Sequence, residues 1–213
     1  MTAEPSWDWL SEDLLCLRLP GEPALPGQRR LLALAQALRG RAVFIDLVPG
    51  LHSLSCVLAP GAEPAAAEAL ARQAWAKARA SAQLGRERLL PVRYGGEEGP
   101  DLPEAAALLG LSEAQLIAAH CAPVYEVACL GFLPGFPYLL GLPPQLALPR
   151  RATPRLRVPA GSVGIGGAQT GVYPCESPGG WQLIGRCTQA LFDPAAAEPS
   201  WLLPGDRLRF VPA

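Results

Sequence analysis

The spacing of apolar residues changes character near the middle of the chain. In EDLLCLRL, 12–19, apolar and polar positions alternate as on a half-buried strand. The turn residues PGEPALPGQ follow. RRLLALAQALRG, 29–40, then places its leucines at helical spacing and stops at Gly40. RAVFIDLVPG, 41–50, is rich in β-formers and closes on Pro-Gly. LHSLSCVLAPG, 51–61, sets His52, Leu54, Cys56 and Leu58 against Leu51, Ser53, Ser55 and Val57, the alternation of a hairpin arm. Pro64 opens an alanine-rich helix to about Leu84, and RERLLPVRYGG, 86–96, reads as a strand. The order β-α-β-β-α-β predicts a ferredoxin-like α/β domain over residues 1–92.

GGEEGPD, 95–101, is polar and Gly-rich and reads as the connector to a second domain, 93–213. DLPEAAALLG is a short helix. Ser112 caps the next one, SEAQLIAAH, with Gln115 placed for a capping box. After the strand APVYEVACLGF, 122–132, helical periodicity stops. Short apolar runs alternate with Gly/Pro turns: RLRVPAG, SVGIGGAQ, TGVYP, GWQLIGRC, ALFDP and DRLRFVP. That pattern predicts a small β barrel or sandwich, and an α+β fold for the whole chain.

Composition narrows the classes. The chain has 213 residues, 50% hydrophobic and 17% charged, enough for two small domains with real cores. A net charge of −1 gives no global reason to bind nucleic acid or an acidic membrane. The start, MTAEPSWDWLSEDLL, lacks the basic region of a signal peptide, and no run of about eighteen apolar residues occurs, so a cytoplasmic protein with no membrane span is expected. Six cysteines include no C-x-x-C pair, and there are only two histidines; reduced buried thiols and no metal site are expected. All but one of the 18 basic residues are arginine. Lysine chemistry, including a biotinyl-lysine, would have to use Lys77, on what reads as an exposed helix face.

The second half carries the unusual chemistry. Between Val127 and Cys175 there is no acid, yet Arg150, Arg151, Arg155 and Arg157 all lie there. Such a surplus needs anions, either acidic residues elsewhere in the fold or a carboxylate or phosphate ligand. Gly161, Gly164, Gly166, Gly167 and Gly171 read either as tight barrel turns or as backbone open to an anion. No P-loop pattern accompanies them. Gln169, Thr170, Tyr173, Glu176 and Ser177 are polar groups able to orient a small ligand. GFLPGFPY, 131–138, fixes a turn and lines up Phe132, Phe136 and Tyr138 as a wall, of core or of a pocket. His120 either places charge at a helix C-terminus or works as an acid/base against that loop.

GFLPGFPYLLGLP, PRRATPRLRVPAGSVGIGGAQTGVYPCESPGGWQLIGR, LFDP and PGDRLRFVP together resemble the allophanate hydrolase subunit 1 family, which includes the KipI proteins and the B component of bacterial 5-oxoprolinase. The resemblance covers nearly the whole chain. It implies a C-terminal cyclophilin-like barrel, of the carboxyltransferase C/D kind. It implies ATP-dependent opening of 5-oxo-L-proline to L-glutamate, with ATP as cosubstrate and with two partners. One is the C component of 5-oxoprolinase, similar to KipA or allophanate hydrolase subunit 2; the other is the A component, of LamB/YcsF type. Inactivity without these partners is expected. Carried onto this chain, the implied site comprises His120, Arg155, Gln169 and Tyr173 as catalytic groups, with Arg150, Gly135, Gly166, Gly167 and Ser177 binding substrate or phosphate. The chain departs from the family at VPGLHS, where Leu51 and His52 replace an aromatic-Arg pair. Two other roles remain within the resemblance: a KipI-type inhibitor of a sporulation histidine kinase, and the carboxyltransferase half of a urea carboxylase or allophanate system. This chain has no biotin attachment site, so biotin would come from another chain.

Overall fold

The computed structural model describes residues 4–80 and 85–213. The chain divides into two units, residues 1–84 and 85–213.

The first unit contains β1 (Ser6–Ser11), β2 (Leu14–Arg18), α1 (Leu25–Leu38), β3 (Phe44–Gly50), β4 (Ser53–Leu58) and α2 (Pro64–Lys77). Its strands form an antiparallel sheet ordered β1-β2-β4-β3. The alternation in β4 sends Leu54, Cys56 and Leu58 inward. Leu17 and Leu15 of β2 stand opposite Leu54 and Cys56, so they share that face. Leu31, Leu34 and Leu38 of α1 close over it, each contributing about 1.5–3 kcal/mol. Helix α1 starts earlier than its leucine spacing predicts, because Pro26 fits a first turn that needs no N–H. The Glu63 carboxylate caps α2 by accepting from the Ala65 and Ala66 amides. Helix α2 ends at Lys77, which is exposed. Of the helix predicted to run to Leu84, the stretch 81–84 lies outside the described residues.

The strand predicted at 86–96 does not join this sheet. The ferredoxin-like adjacency of the other three strands is present, and β1 occupies the remaining place beside β2.

That strand, β5 (Glu87–Tyr94), belongs to the second unit. With it come α3 (Leu102–Leu108), α4 (Glu113–Cys121), β6 (Tyr125–Leu130), β7 (Pro137–Leu140), β8 (Arg155–Val158), β9 (Ser162–Gly166), β10 (Gln169–Val172), β11 (Ser177–Gly179), β12 (Gln182–Arg186) and β13 (Arg207–Pro212). Seven strands close into a barrel in the order β10-β7-β6-β13-β5-β12-β9, which leaves that sheet without a free edge. Strands β13 and β5 run parallel and the other barrel neighbours antiparallel. Strands β8 and β11 form a separate ribbon.

Leu90, Val92, Val127, Leu139, Val163, Ile165, Ile184, Leu208 and Phe210 fill the barrel. Ser112 and Gln115 make the capping box that starts α4. GGEEGPD lies within this unit, where Gly99 packs against the Ile184 carbonyl and Asp101 is buried. Among the described residues no helix is long and apolar enough to cross a membrane.

Candidate functional site

The glycines and the aromatic residues of the second half explain one another. On β9 and β10, Gly164 and Gly171 stand opposite each other. Trp181 lies across them and Gly166, its indole over Gly166 and Gly171 and its Cβ at Gly164: a Cβ on Gly166 would sit 2.5 Å from the ring. These glycines make room for a side chain, which favours the packing reading over an open anion nest. Trp181, Phe136, Tyr138 and Tyr173 then meet at tilted or edge-on angles, with ring centroids 5.2 to 6.5 Å apart. Phe132 caps the group edge-on while 59% exposed, and holds φ at +67°, a value costly for an aromatic residue. The loop 131–136 is thus one wall of a small core. Its outer side borders an open cleft of about 420 Å³ that reaches Phe192 and Ser200.

The arginines divide. Asp101, 3% exposed, accepts a two-pronged contact from Arg155 at 2.9 and 2.6 Å, a third bond from Arg151 at 3.0 Å, and the Leu183 amide at 2.6 Å. Arg157 of β8 pairs with Glu176, the residue before β11, and both side chains are exposed. These three have protein partners. Arg150 is exposed and has no ion pair or hydrogen bond among the described residues. Its charge acts on the phenols of Tyr138 and Tyr173. Burial raises both phenols and the arginine opposes that shift, so both remain neutral at physiological pH.

The chain on either side of Arg150 is pinned to β12 and its approach. Gln182 donates to the Pro149 carbonyl, and the Arg151 amide donates to that of Gly180. Two polar atoms here, Arg151 Nε and Gln182 Oε1, are buried without a partner among the described residues. Arg150 is thus an exposed cation on a pinned segment, beside the aromatic core whose phenols feel its charge. Its guanidinium is the one group of the arginine cluster without a protein acceptor among the described residues, and its chemistry suits a carboxylate or phosphoryl group.

The remaining expected residues fall around this aromatic core or away from it. Tyr173 belongs to it. Ser177 on β11 donates to the Pro178 carbonyl at 3.1 Å. Gln169 starts β10 opposite Gly166, and Gly167 sits in the turn between with open space around it. Gly135 is tight against Phe192 and Leu191.

His120 lies elsewhere. It is fully buried, with Phe210 and Tyr125 against its ring. Thr170 donates its only hydroxyl hydrogen to the Gly164 carbonyl, so it accepts from His120 Nε2 at 2.9 Å. Nδ1 is left to accept the Tyr94 hydroxyl at 2.8 Å, and Cys121 donates to that hydroxyl. Burial lowers the imidazole pKa to about 3. Both nitrogens are engaged inside the barrel, which pins α4 and does not place the ring at the 131–137 loop. Of the cysteines, Cys16, Cys56, Cys129 and Cys187 are buried, Cys121 is half-buried and Cys175 exposed, all as free thiols. Burial holds Cys56 and Cys129 at about 12.

Nothing local in the sequence marks Asp101, Trp181 or Gln182 as organising residues. Asp101 sat in a segment that reads as a linker. Trp181 was signalled only indirectly, by glycines recurring on adjacent strands.

The family model for the carboxyltransferase domain, subdomain C and D, matches residues 5–202. The Escherichia coli O157:H7 protein named as the B component of 5-oxoprolinase is 48% identical over 205 residues, covering 95% of this chain and 94% of that protein. The crystal structure of TTHA0988 in space group P212121 superposes with a TM-score of 0.82 at 40% identity. It covers 94% of this chain, which spans only 40% of that longer chain. Kluyveromyces lactis urea carboxylase shares the fold, with a TM-score of 0.79 at 17% identity over 98% of this chain and 22% of its own.

Proposed function

This chain belongs to the family of the carboxyltransferase domain, subdomain C and D, and on that premise we propose that it is the B component of an ATP-dependent 5-oxoprolinase. The observation that carries the reading is near-full-length similarity, at 48% identity, to a protein of that name. The proposed reaction opens the lactam of 5-oxo-L-proline to L-glutamate. A lactam carbon is a poor electrophile. When ATP phosphorylates the lactam oxygen, water can attack the carbon, the C–N bond opens and phosphate leaves.

The chain's own contribution is positioning and charge. Arg150 holds the substrate carboxylate or the transferred phosphoryl. Tyr138, half-buried and within reach of the Arg150 charge, offers an aromatic edge to the ring, with Tyr173 and Trp181 packed behind it. Arg155 acts through Asp101 as a positioning residue. His120 keeps α4 on the barrel and takes no part in proton transfer. The KipA-like and LamB/YcsF-like partners complete the site, and the chain alone is inactive.

Reconstitution tests this. The chain with both partners releases ADP in a 5-oxoproline-dependent manner, and the chain alone does not. A second reading, the carboxyltransferase half of a urea carboxylase or allophanate system, draws support from the family match itself. Biotin-dependent carboxyl transfer in place of ADP release would select it.

A further inference from the structure

Away from Arg150, a second pair of arginines is left incompletely neutralised. Arg93 on β5 and Arg186 on β12 are direct register partners in an antiparallel pair. Their side chains therefore leave the same face of the barrel, with Cβ atoms about 5 Å apart, where like charges destabilise a sheet. Arg186 is held in place: its Nε donates to the Ala160 carbonyl at 2.8 Å and a terminal nitrogen reaches Glu98 at 3.3 Å. Arg93 is exposed and has no ion pair or hydrogen bond among the described residues. Other exposed arginines, Arg41 and Arg150 among them, also lack an ion pair among the described residues; Arg93 differs in standing directly opposite a second arginine.

The two guanidinium groups line a concave cleft of about 500 Å³, within the size range of small-molecule sites. Its other walls include Gly161, Pro174, Thr188 and Gln189, and Glu98 is the one carboxylate among the lining residues. The floor is fixed by backbone. Gly161 donates to the Tyr173 carbonyl and accepts from the Cys187 amide. A Cβ at Gly161, whose φ is +81°, would collide with the Cys187 carbonyl.

We propose that this cleft binds a small organic anion bearing a carboxylate or a phosphate group. Arg186 presents a fixed guanidinium and Arg93 a free one that closes on the ligand, while the Thr188 hydroxyl and Gln189 amide supply neutral polar groups. Two arginines against one glutamate leave a local charge of +1, which the anion neutralises; its arrival converts an unfavourable cross-strand pair into a bridged one. The lining shares no residue with the Arg150 cluster, so the inference stands apart from the 5-oxoprolinase reading.

The test is calorimetric titration of the full chain at low salt with inorganic phosphate and, separately, L-glutamate, for the wild type and Arg93→Gln. At least one anion binds the wild type, and Arg93→Gln weakens that binding tenfold or more. Response to phosphate alone assigns a phosphate-bearing ligand, and response to glutamate alone assigns a carboxylate. A companion melting experiment guards against misfolding: without added anion Arg93→Gln melts at or above the wild-type temperature, and the binding anion raises the melting temperature of the wild type only. Failure of both anions to bind, equal binding by Arg93→Gln, or binding removed by Arg150→Gln instead would each overturn the proposal.

Discussion

Arg150 and Arg151 are neighbours in sequence with the same charge, but their surroundings differ completely. Arg151 and Arg155 converge on Asp101, a buried carboxylate that also accepts a backbone amide, so both guanidinium groups are tied to a protein acceptor. Arg150 points to no carboxylate and stands near two neutral phenols. The first arrangement holds β12 to the 149–155 segment. The second leaves Arg150 in solvent, where the proposed function has it meet the substrate anion. An arginine-rich stretch is therefore not a site as such; in the proposed function it is the cation left unmatched by the fold that meets the ligand.

The sharpest way to break this contrast is Asp101→Ala. It leaves two guanidinium groups and the Leu183 amide without their acceptor, at a cost of about 3–5 kcal/mol in urea unfolding. A loss below about 1 kcal/mol would mean that the cluster is not structural. Next comes Gly166→Ala, whose methyl group meets the Trp181 indole; overpacking there costs about 1–3 kcal/mol and perturbs tryptophan fluorescence.

His120 sharpens the comparison through pH. Its folded pKa, about 3, lies below the ordinary value of 6.5. The unfolded chain therefore takes up a proton that the folded chain refuses as pH falls from 6.5 towards 3, and stability declines over that window. By about pH 5.5 the expected loss is about 1.4 kcal/mol, and it is absent in His120→Gln. The pH–rate profile of the assembled enzyme is unchanged by that substitution. A shifted profile would restore His120 as a proton carrier.

Local signals were legible and long-range ones were not. The Ser112–Gln115 capping box, the helix ahead of Gly40 and the alternation of β4 all follow from neighbours a few residues apart, and the structure has them. RERLLPVRY shows strand alternation equally well for either sheet. Its place in the barrel depends on pairing with β13, more than a hundred residues later. Asp101 looked like a linker acid because its arginine and backbone partners come 50 to 82 residues further on. The glycines announced a close approach without saying that Trp181 makes it. In the sequence Arg150 is indistinguishable from Arg151, Arg155 and Arg157, and the fold alone separates them.

The smallest expected effect on stability belongs to Arg150→Ala, within about 0.5 kcal/mol of the wild type, as for an exposed residue without partners. Its effect on activity is the most direct test of the account. In the complex reconstituted with the KipA-like and LamB/YcsF-like partners, 5-oxoproline-dependent ADP release is measured for the wild type and for Arg150→Ala. The account predicts an active wild type and a variant whose kcat/KM for 5-oxoproline falls at least tenfold, about 1.4 kcal/mol of lost transition-state stabilisation, with an unchanged unfolding midpoint. A variant as active as the wild type, or a complete wild-type complex with no 5-oxoproline-dependent ADP release, would contradict it.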